Sequence, residues 1–94
     1  MDFHVGEYFR IQVETNITLT GGTLLIKYEK PNRSRGQFGA TINVSDDSKM
    51  YYDTINVSDV DQAGEWIFWA HAMIGGKPKI GDAVEQVIKA EGQI

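Results

Sequence analysis

The side chains able to do chemistry in this chain are few and scattered. His4 and His71 are the only histidines, and there is no cysteine. A zinc site draws three or four ligands from imidazole, thiolate and carboxylate and needs a supporting shell, so two isolated histidines predict no metal, and His71 is expected to be a half-buried structural residue. Asp59-Val60-Asp61-Gln62-Ala63-Gly64-Glu65 starts like an acidic calcium loop. An EF-hand spacing requires further ligands at positions 5 and 12; the match fails after two positions, and a turn held by Asx hydrogen bonds is expected instead. Asp46-Asp47 meeting this segment across the fold is the best remaining oxygen-ligand arrangement. Ser45, Ser48 and Ser58 lie in turn-like stretches without a Gly-x-Ser-x-Gly elbow or a histidine partner. Paired carboxylates would need a cleft that a chain this short has little room to build. The expectation is a protein with no catalytic residues and no cofactor, not an enzyme.

Other residue groups point to binding. Trp69, or the pair Tyr51 and Tyr52, could offer a stacking platform for a sugar. Lys27, Lys30, Arg33 and Arg35 cluster around one turn, where they could meet an acidic neighbour or simply form a solvated loop tip. Asn-x-Ser/Thr sequons at Asn16, Asn32, Asn43 and Asn56 read as turn and strand-end residues rather than glycan sites. Ile42-Asn43-Val44-Ser45-Asp46 is echoed by Ile55-Asn56-Val57-Ser58-Asp59, which implies two similar strand exits and is too short for a repeat architecture.

Period-2 alternation positions all of these residues, and the helical i, i+3, i+4 pattern is missing. The chain reads as all-β. Tyr8 to Thr15 places Phe9, Ile11 and Val13 on one face, and Thr23 to Lys30 alternates Leu24, Ile26 and Tyr28 against Leu25, Lys27 and Glu29. A loop runs from Pro31 to Gly36. Gln37 to Val44 would put Phe38, Ala40, Ile42 and Val44 inward, and Lys49 to Val57 would follow with Tyr51, Tyr52 and Ile55 as bulky members. Glu65 to Ile74 forms a long strand, Gly75-Gly76-Lys77-Pro78 a hairpin, and Ala83 to Glu91 the last strand. With a leading segment at Phe3 to Val5, the total is about seven strands, the count of an immunoglobulin-like antiparallel sandwich. The expected unit is one such domain over residues 1–94, without a disulfide.

The segment from Asp59 to Ala70 fixes that reading most firmly. Asp61, Ala63 and Gly64 would make the corner between two sheets, and Trp66 and Phe68 would take the slots where antibody-type domains carry a hydrogen-bonding tyrosine and a disulfide cysteine. Packing would then replace the disulfide. The strand that follows is apolar on both faces: Trp66, Phe68, Ala70, Ala72 and Ile74 on one, Ile67, Trp69 and Met73 with His71 on the other. A two-layer sandwich buries only one of these rows. The second is either a contact patch or is covered by another part of the chain. Ile67, Trp69, Met73 and Tyr51 are the interface candidates.

Composition bounds the partners. A net charge of -4 argues against nucleic acid, because phosphate binding rests on Lys and Arg. No apolar run approaches ~20 residues, so no membrane-spanning helix is expected. Met1-Asp2-Phe3-His4 has neither a basic n-region nor an apolar h-region, so a cleaved signal peptide is not expected. The terminal strand offers only Glu85 and Lys89 as gatekeepers among Val84, Val87 and Ile88, which leaves its edge available for pairing.

The order of turn and strand motifs carries one resemblance. His4-Val5-Gly6, Leu19-Thr20-Gly21-Gly22-Thr23, Ile26-Lys27-Tyr28-Glu29-Lys30-Pro31, Phe38 and Ala40 flanking Gly39, Tyr51 or Tyr52, Asp61-Gln62-Ala63-Gly64-Glu65-Trp66 and Gly81 follow one another along nearly the whole chain. The series resembles a small Ig-like module of tailed-bacteriophage virion proteins and is similar to the amino-terminal domain of baseplate upper proteins. Gly22 stands where that pattern more often has Ala, and the Lys-Pro turn is lengthened to Gly36. The resemblance implies a non-catalytic structural protein of the virion, made in the host cytoplasm, with other virion proteins as partners and a homo-oligomeric state in the particle. A carbohydrate- or ligand-binding module of the adhesin kind is the alternative.

Overall fold

The computed structural model describes residues 3–90 and Gly92. Among these residues nine strands follow in chain order: β1 (Phe3–His4), β2 (Arg10–Glu14), β3 (Thr23–Glu29), β4 (Arg35–Gly39), β5 (Thr41–Ile42), β6 (Lys49–Asp53), β7 (Gly64–Ile74), β8 (Lys77–Ile80) and β9 (Val84–Lys89). A 3-10 turn at Val57–Asp59 links β6 to β7. One sheet has the order β1-β9-β7-β3-β4, with β8 also on β7, and the other has the order β2-β6-β5. The protein is all-β, in two sheets, and has no disulfide.

Alternation decides which residues lie between the sheets. Ile11 and Val13 of β2 and Met50 of β6 face Ile26, Phe38, Trp66, Phe68, Ala70, Ala72 and Ile88 of the larger sheet. Leu19 and Val60, from connecting segments, complete the core. Its aromatic members touch in series: Tyr52 stacks on Phe38 at 4.4 Å between centroids, Phe38 lies 4.8 Å from Tyr28, and Tyr28 5.4 Å from Trp66. Each such pair contributes about 0.5–1.5 kcal/mol beyond its area. This series crosses from one sheet to the other.

Several expectations are corrected. The stretch from Gln37 to Val44 is two strands, because the Ala40 amide donates a last bond to Leu24 O and Thr41 and Ile42 then pair with β6 in the other sheet. Val44, expected inward, is 97% exposed. Asn43 Oδ1 accepts the amides of Ser45 and Asp46 and turns the chain before Val44 can join a strand. β4 begins at Arg35, inside the expected loop, since Arg33 adopts a positive φ of 73° and Asn32 Oδ1 accepts the Ser34 amide, closing the hairpin early. β6 ends at Asp53, not Val57, and Ile55 is exposed.

The strand pairing is also not wholly antiparallel, unlike that of the expected immunoglobulin-like antiparallel sandwich. β1 pairs in parallel with β9, Phe3 opposite Ile88. β8 is an additional strand on β7, made possible by Gly75 and Gly76 at φ 60° and 78°, the geometry of a two-residue hairpin. Pro78 is tolerated there because β8 is an edge. Glu91, expected in the last strand, and Met1 and Asp2 lie outside the described residues.

Candidate functional site

The long strand β7 divides its residues by parity. Trp66, Phe68, Ala70 and Ala72 are buried, while Ile67, Trp69 and His71 are half-buried on the outer face and Met73 is exposed. Register gives the neighbours of this outer row: Glu29, Lys27, Leu25 and Thr23 on β3 stand opposite Ile67, Trp69, His71 and Met73. Beyond them on β4, Arg35, Gln37 and Gly39 oppose Glu29, Lys27 and Leu25. On the other side Glu85 of β9 opposes Ile67, and Ile80 and Pro78 of β8 oppose His71 and Met73. An apolar band of Ile67, Trp69, Leu25, Met73 and Ile80 therefore runs across the larger sheet, with charged residues along its β4 side.

Trp69 lies in a shallow groove of about 310 Å³ lined also by Lys27, Arg35, Gly36 and Gln37. The Arg35 guanidinium carbon is 5.8 Å from the indole centroid, and its Nε donates to Glu29 Oε1 at 3.1 Å. A cation over an indole face is attracted by the ring quadrupole. The groove thus presents an aromatic ring, hydrogen-bond donors and two cations on one open surface. His71 Nδ1 is shut from solvent without a hydrogen-bond partner among the described residues.

Tyr51 is elsewhere. It sits on the outer face of the smaller sheet, opposite Gln12 and Thr41, with the Arg10 guanidinium 3.9 Å over its ring. Arg10 in turn makes a two-pronged pair with Asp53 at 2.7 and 3.0 Å. The structure does not bring Tyr51 to Ile67, Trp69 and Met73, because the two faces belong to opposite sheets. Nor do Tyr51 and Tyr52 form a joint platform: Tyr52 points inward onto Phe38, and its hydroxyl donates to Asp59 at 2.8 Å. Burial, and then Asp59, push the Tyr52 hydroxyl above its ordinary pKa.

The corner residues are brought together around the end of β3. Lys30 Nζ bonds both oxygens of Asp61, at 3.0 and 3.2 Å, and lies 5.8 Å from the Trp66 ring. Trp66 is fully buried, and its Nε1 donates to Gln62 O at 2.9 Å. Gly64 has φ 129°, and a Cβ built there would lie 2.8 Å from Pro31 Cγ. Phe68 is buried below, and Ala63 is exposed.

Three of the acids weighed for ion binding, Asp46, Asp59 and Asp61, hydrogen-bond within the fold. Asp46 Oδ1 accepts the hydroxyl and the amide of Ser48, which hold its carboxyl below the ordinary range. Burial alone would raise Asp59, but the Ile55 amide, the Tyr52 hydroxyl and the Asn56 amide overcome it and leave the carboxyl low. Asp46 precedes β6 and Asp59 follows it, so the strand separates them. Among the described residues no three His, Cys, Asp or Glu side chains are grouped as metal ligands would be. The basic turn is also internally paired, Lys30 with Asp61, and Arg33 and Arg35 with Glu29.

Two features escaped sequence reasoning. A cleft of about 420 Å³ lies between Glu14–Ile17 and Lys79–Asp82, where two segments remote in sequence meet. Thr54 Oγ1 accepts the Phe9 amide at 2.9 Å and donates to Phe9 O at 3.2 Å, clamping the entrance of β2 to the exit of β6. An isolated Thr at a strand end gives little signal for such a clamp.

Fold and site together define an all-β, two-sheet module that presents a mixed apolar and charged face. Comparison of the chain with protein-family models, curated proteins and solved structures found no match in any of the three.

Proposed function

We propose that this chain is a non-catalytic protein–protein assembly module built as an Ig-like sandwich, and that it serves as a structural component of a bacteriophage virion. The observation that carries the assembly reading is the Ile67, Trp69 and Met73 row, an apolar band on the outer face of the larger sheet. Bands of this kind mark contact surfaces. The Ig-like reading is supported by strand order: β2-β6-β5 corresponds to B-E-D of that architecture, and β9-β7-β3 to G-F-C with β4 as an added C′. The Trp66 bond to Gln62 O takes the place of the tyrosine corner. The virion assignment rests on the resemblance of the ordered turn motifs, an analogy of fold that does not by itself carry function. Trp69→Ser tests the assembly reading. The variant keeps the wild-type circular dichroism spectrum and fails to enter particles; normal incorporation overturns the role of this face.

A second reading is favoured by the Trp69 groove itself. An indole beside Lys27, Arg35 and Gln37 fits the stacking and hydrogen-bonding requirements of a sugar ring. Glycan-array binding that disappears in Trp69→Ala would establish it, and silence across a broad array would remove it.

A further inference from the structure

β2 is an edge strand of the smaller sheet, with β6 on one side and no described strand on the other. Its ladder with β6 fixes which backbone groups remain. Thr54 N donates to Phe9 O and Thr15 N to Ser48 O, so Phe9, Ile11, Val13 and Thr15 point their amides and carbonyls at β6. In an antiparallel ladder the residues between them point the other way. The N–H and C=O groups of Arg10, Gln12 and Glu14 therefore face outward along an edge with no described strand beside it, open at Arg10 and Gln12 and flanked at the Glu14 carbonyl by Gly81 of the β8–β9 connection. Natural edges are blunted by charged side chains, Lys above all, by Pro, by bulges, by short length or by a covering loop. β8 carries Lys77, Pro78 and Lys79; β2 has five regular residues with no Lys, Pro or bulge, and its charges, Arg10 and Glu14, are of opposite sign.

We infer that the β2 edge pairs antiparallel with the β2 edge of a second copy of this chain, in a two-fold register centred on Gln12. This register sets Arg10 opposite the partner's Glu14, Gln12 opposite the partner's Gln12, and Glu14 opposite the partner's Arg10. Every outward N–H and C=O of the three residues then meets its complement. The side chains on the outer face agree with it. Within one copy Arg10 already lies beside Asp53 and Glu14 beside Lys49. Across the joined sheets the row reads Asp53, Arg10, the partner's Glu14, the partner's Lys49, alternating in sign at each step. Opposite charges directly across a ladder are stabilising and like charges destabilising. The contact is isologous and closes at two copies.

The flank also has space to fill. A gap of about 210 Å³ opens there between the sheets, lined by Phe3, Phe9, Val13 and Phe68 and by Val84 and Gln86 of β9. A second sandwich set edge to edge would cover its mouth. This surface is separate from the Trp69 face, which belongs to the other sheet, so the two readings fail independently.

The test is sedimentation velocity on the full chain over about 5 to 500 µM, since a strand-edge contact smaller than a standard interface should bind at micromolar strength or weaker. Wild type is expected to shift from monomer to dimer with concentration. Arg10→Glu and Glu14→Arg should each be monomeric, because each sets like charges across the ladder. An equimolar mixture of the two should regain the dimer, because the strand that carries acids at both positions then lies against the strand that carries arginines at both. Gln12→Pro removes an outward amide without touching the β6 ladder and should also be monomeric, with circular dichroism unchanged; it serves if a charge variant fails to fold. A wild type that stays monomeric, a dimer insensitive to these substitutions, or a mixture that does not re-form it overturns the inference. So does an edge that takes a strand only from a different protein.

Discussion

Trp66 should be the most costly single position in the corner, and two replacements separate its contributions. The indole is fully buried, touches Tyr28 and Phe68 with centroids at 5.4 and 5.9 Å, and donates to Gln62 O at 2.9 Å. Phe keeps a ring but removes roughly 50 Å² of buried surface, about 1.2 kcal/mol at ~25 cal/mol per Å². The space left behind adds about 1 kcal/mol, and the lost hydrogen bond about 1 kcal/mol. Trp66→Phe should therefore cost about 3 kcal/mol. Trp66→Tyr should cost about 1 kcal/mol less, because a hydroxyl in this slot can bond the upstream backbone as the tyrosine corner does. Urea unfolding followed by far-ultraviolet circular dichroism measures both without relying on the altered fluorophore. With a slope of about 1 kcal/mol per molar, midpoints should fall by about 3 M for Phe and about 2 M for Tyr. A Phe variant costing under about 1 kcal/mol, or a Tyr variant no better than Phe, would refute this account of the corner.

Other positions give sharper local tests. Thr54→Val should cost about 1–3 kcal/mol in thermal unfolding, since it strands the Phe9 amide, whereas Thr54→Ser should cost much less. Gly64→Ala should cost about 2 kcal/mol or more, from its φ of 129° and the approach to Pro31; Gly39→Ala, with open space around its Cβ, should be close to neutral in the same assay. Asp59 has a folded pKa below its unfolded value. Its contribution is thus complete above the unfolded carboxylate value near ~3.9 and is lost as pH falls through the folded one. Melting temperatures should therefore drop less steeply for Asp59→Asn than for wild type as pH falls below about 4; Asp46 and Asp53, also lowered, keep part of the slope in the variant.

Strands with one wet face were legible because burial and alternation coincide. β2 reads Arg-Ile-Gln-Val-Glu and is buried at Ile11 and Val13 only. The two-sided character of β7 was legible in the same way. The change of sheet at Ala40 was not, since Phe38, Ala40 and Ile42 keep period 2 whichever sheet each residue joins. Val44 continued that period past a turn set by the Asn43 side chain, which apolar patterning does not register. The parallel pairing of Phe3 with Ile88 depends on chain ends far apart in sequence and has no local signal. Tyr51 and Tyr52 could have been separated from the outset, because adjacent strand residues point to opposite faces. For the Trp69 row, the sequence marked the residues, while its half-burial among Lys27, Arg35 and Gln37 depends on register with β3 and β4.

Quantitative mass spectrometry of gradient-purified particles from a lysate of the source tests the central claim most directly. The account predicts recovery of this chain at a fixed copy number per particle, matching a symmetric assembly. Its absence from purified particles, with the protein abundant in the remaining lysate, would contradict the virion role.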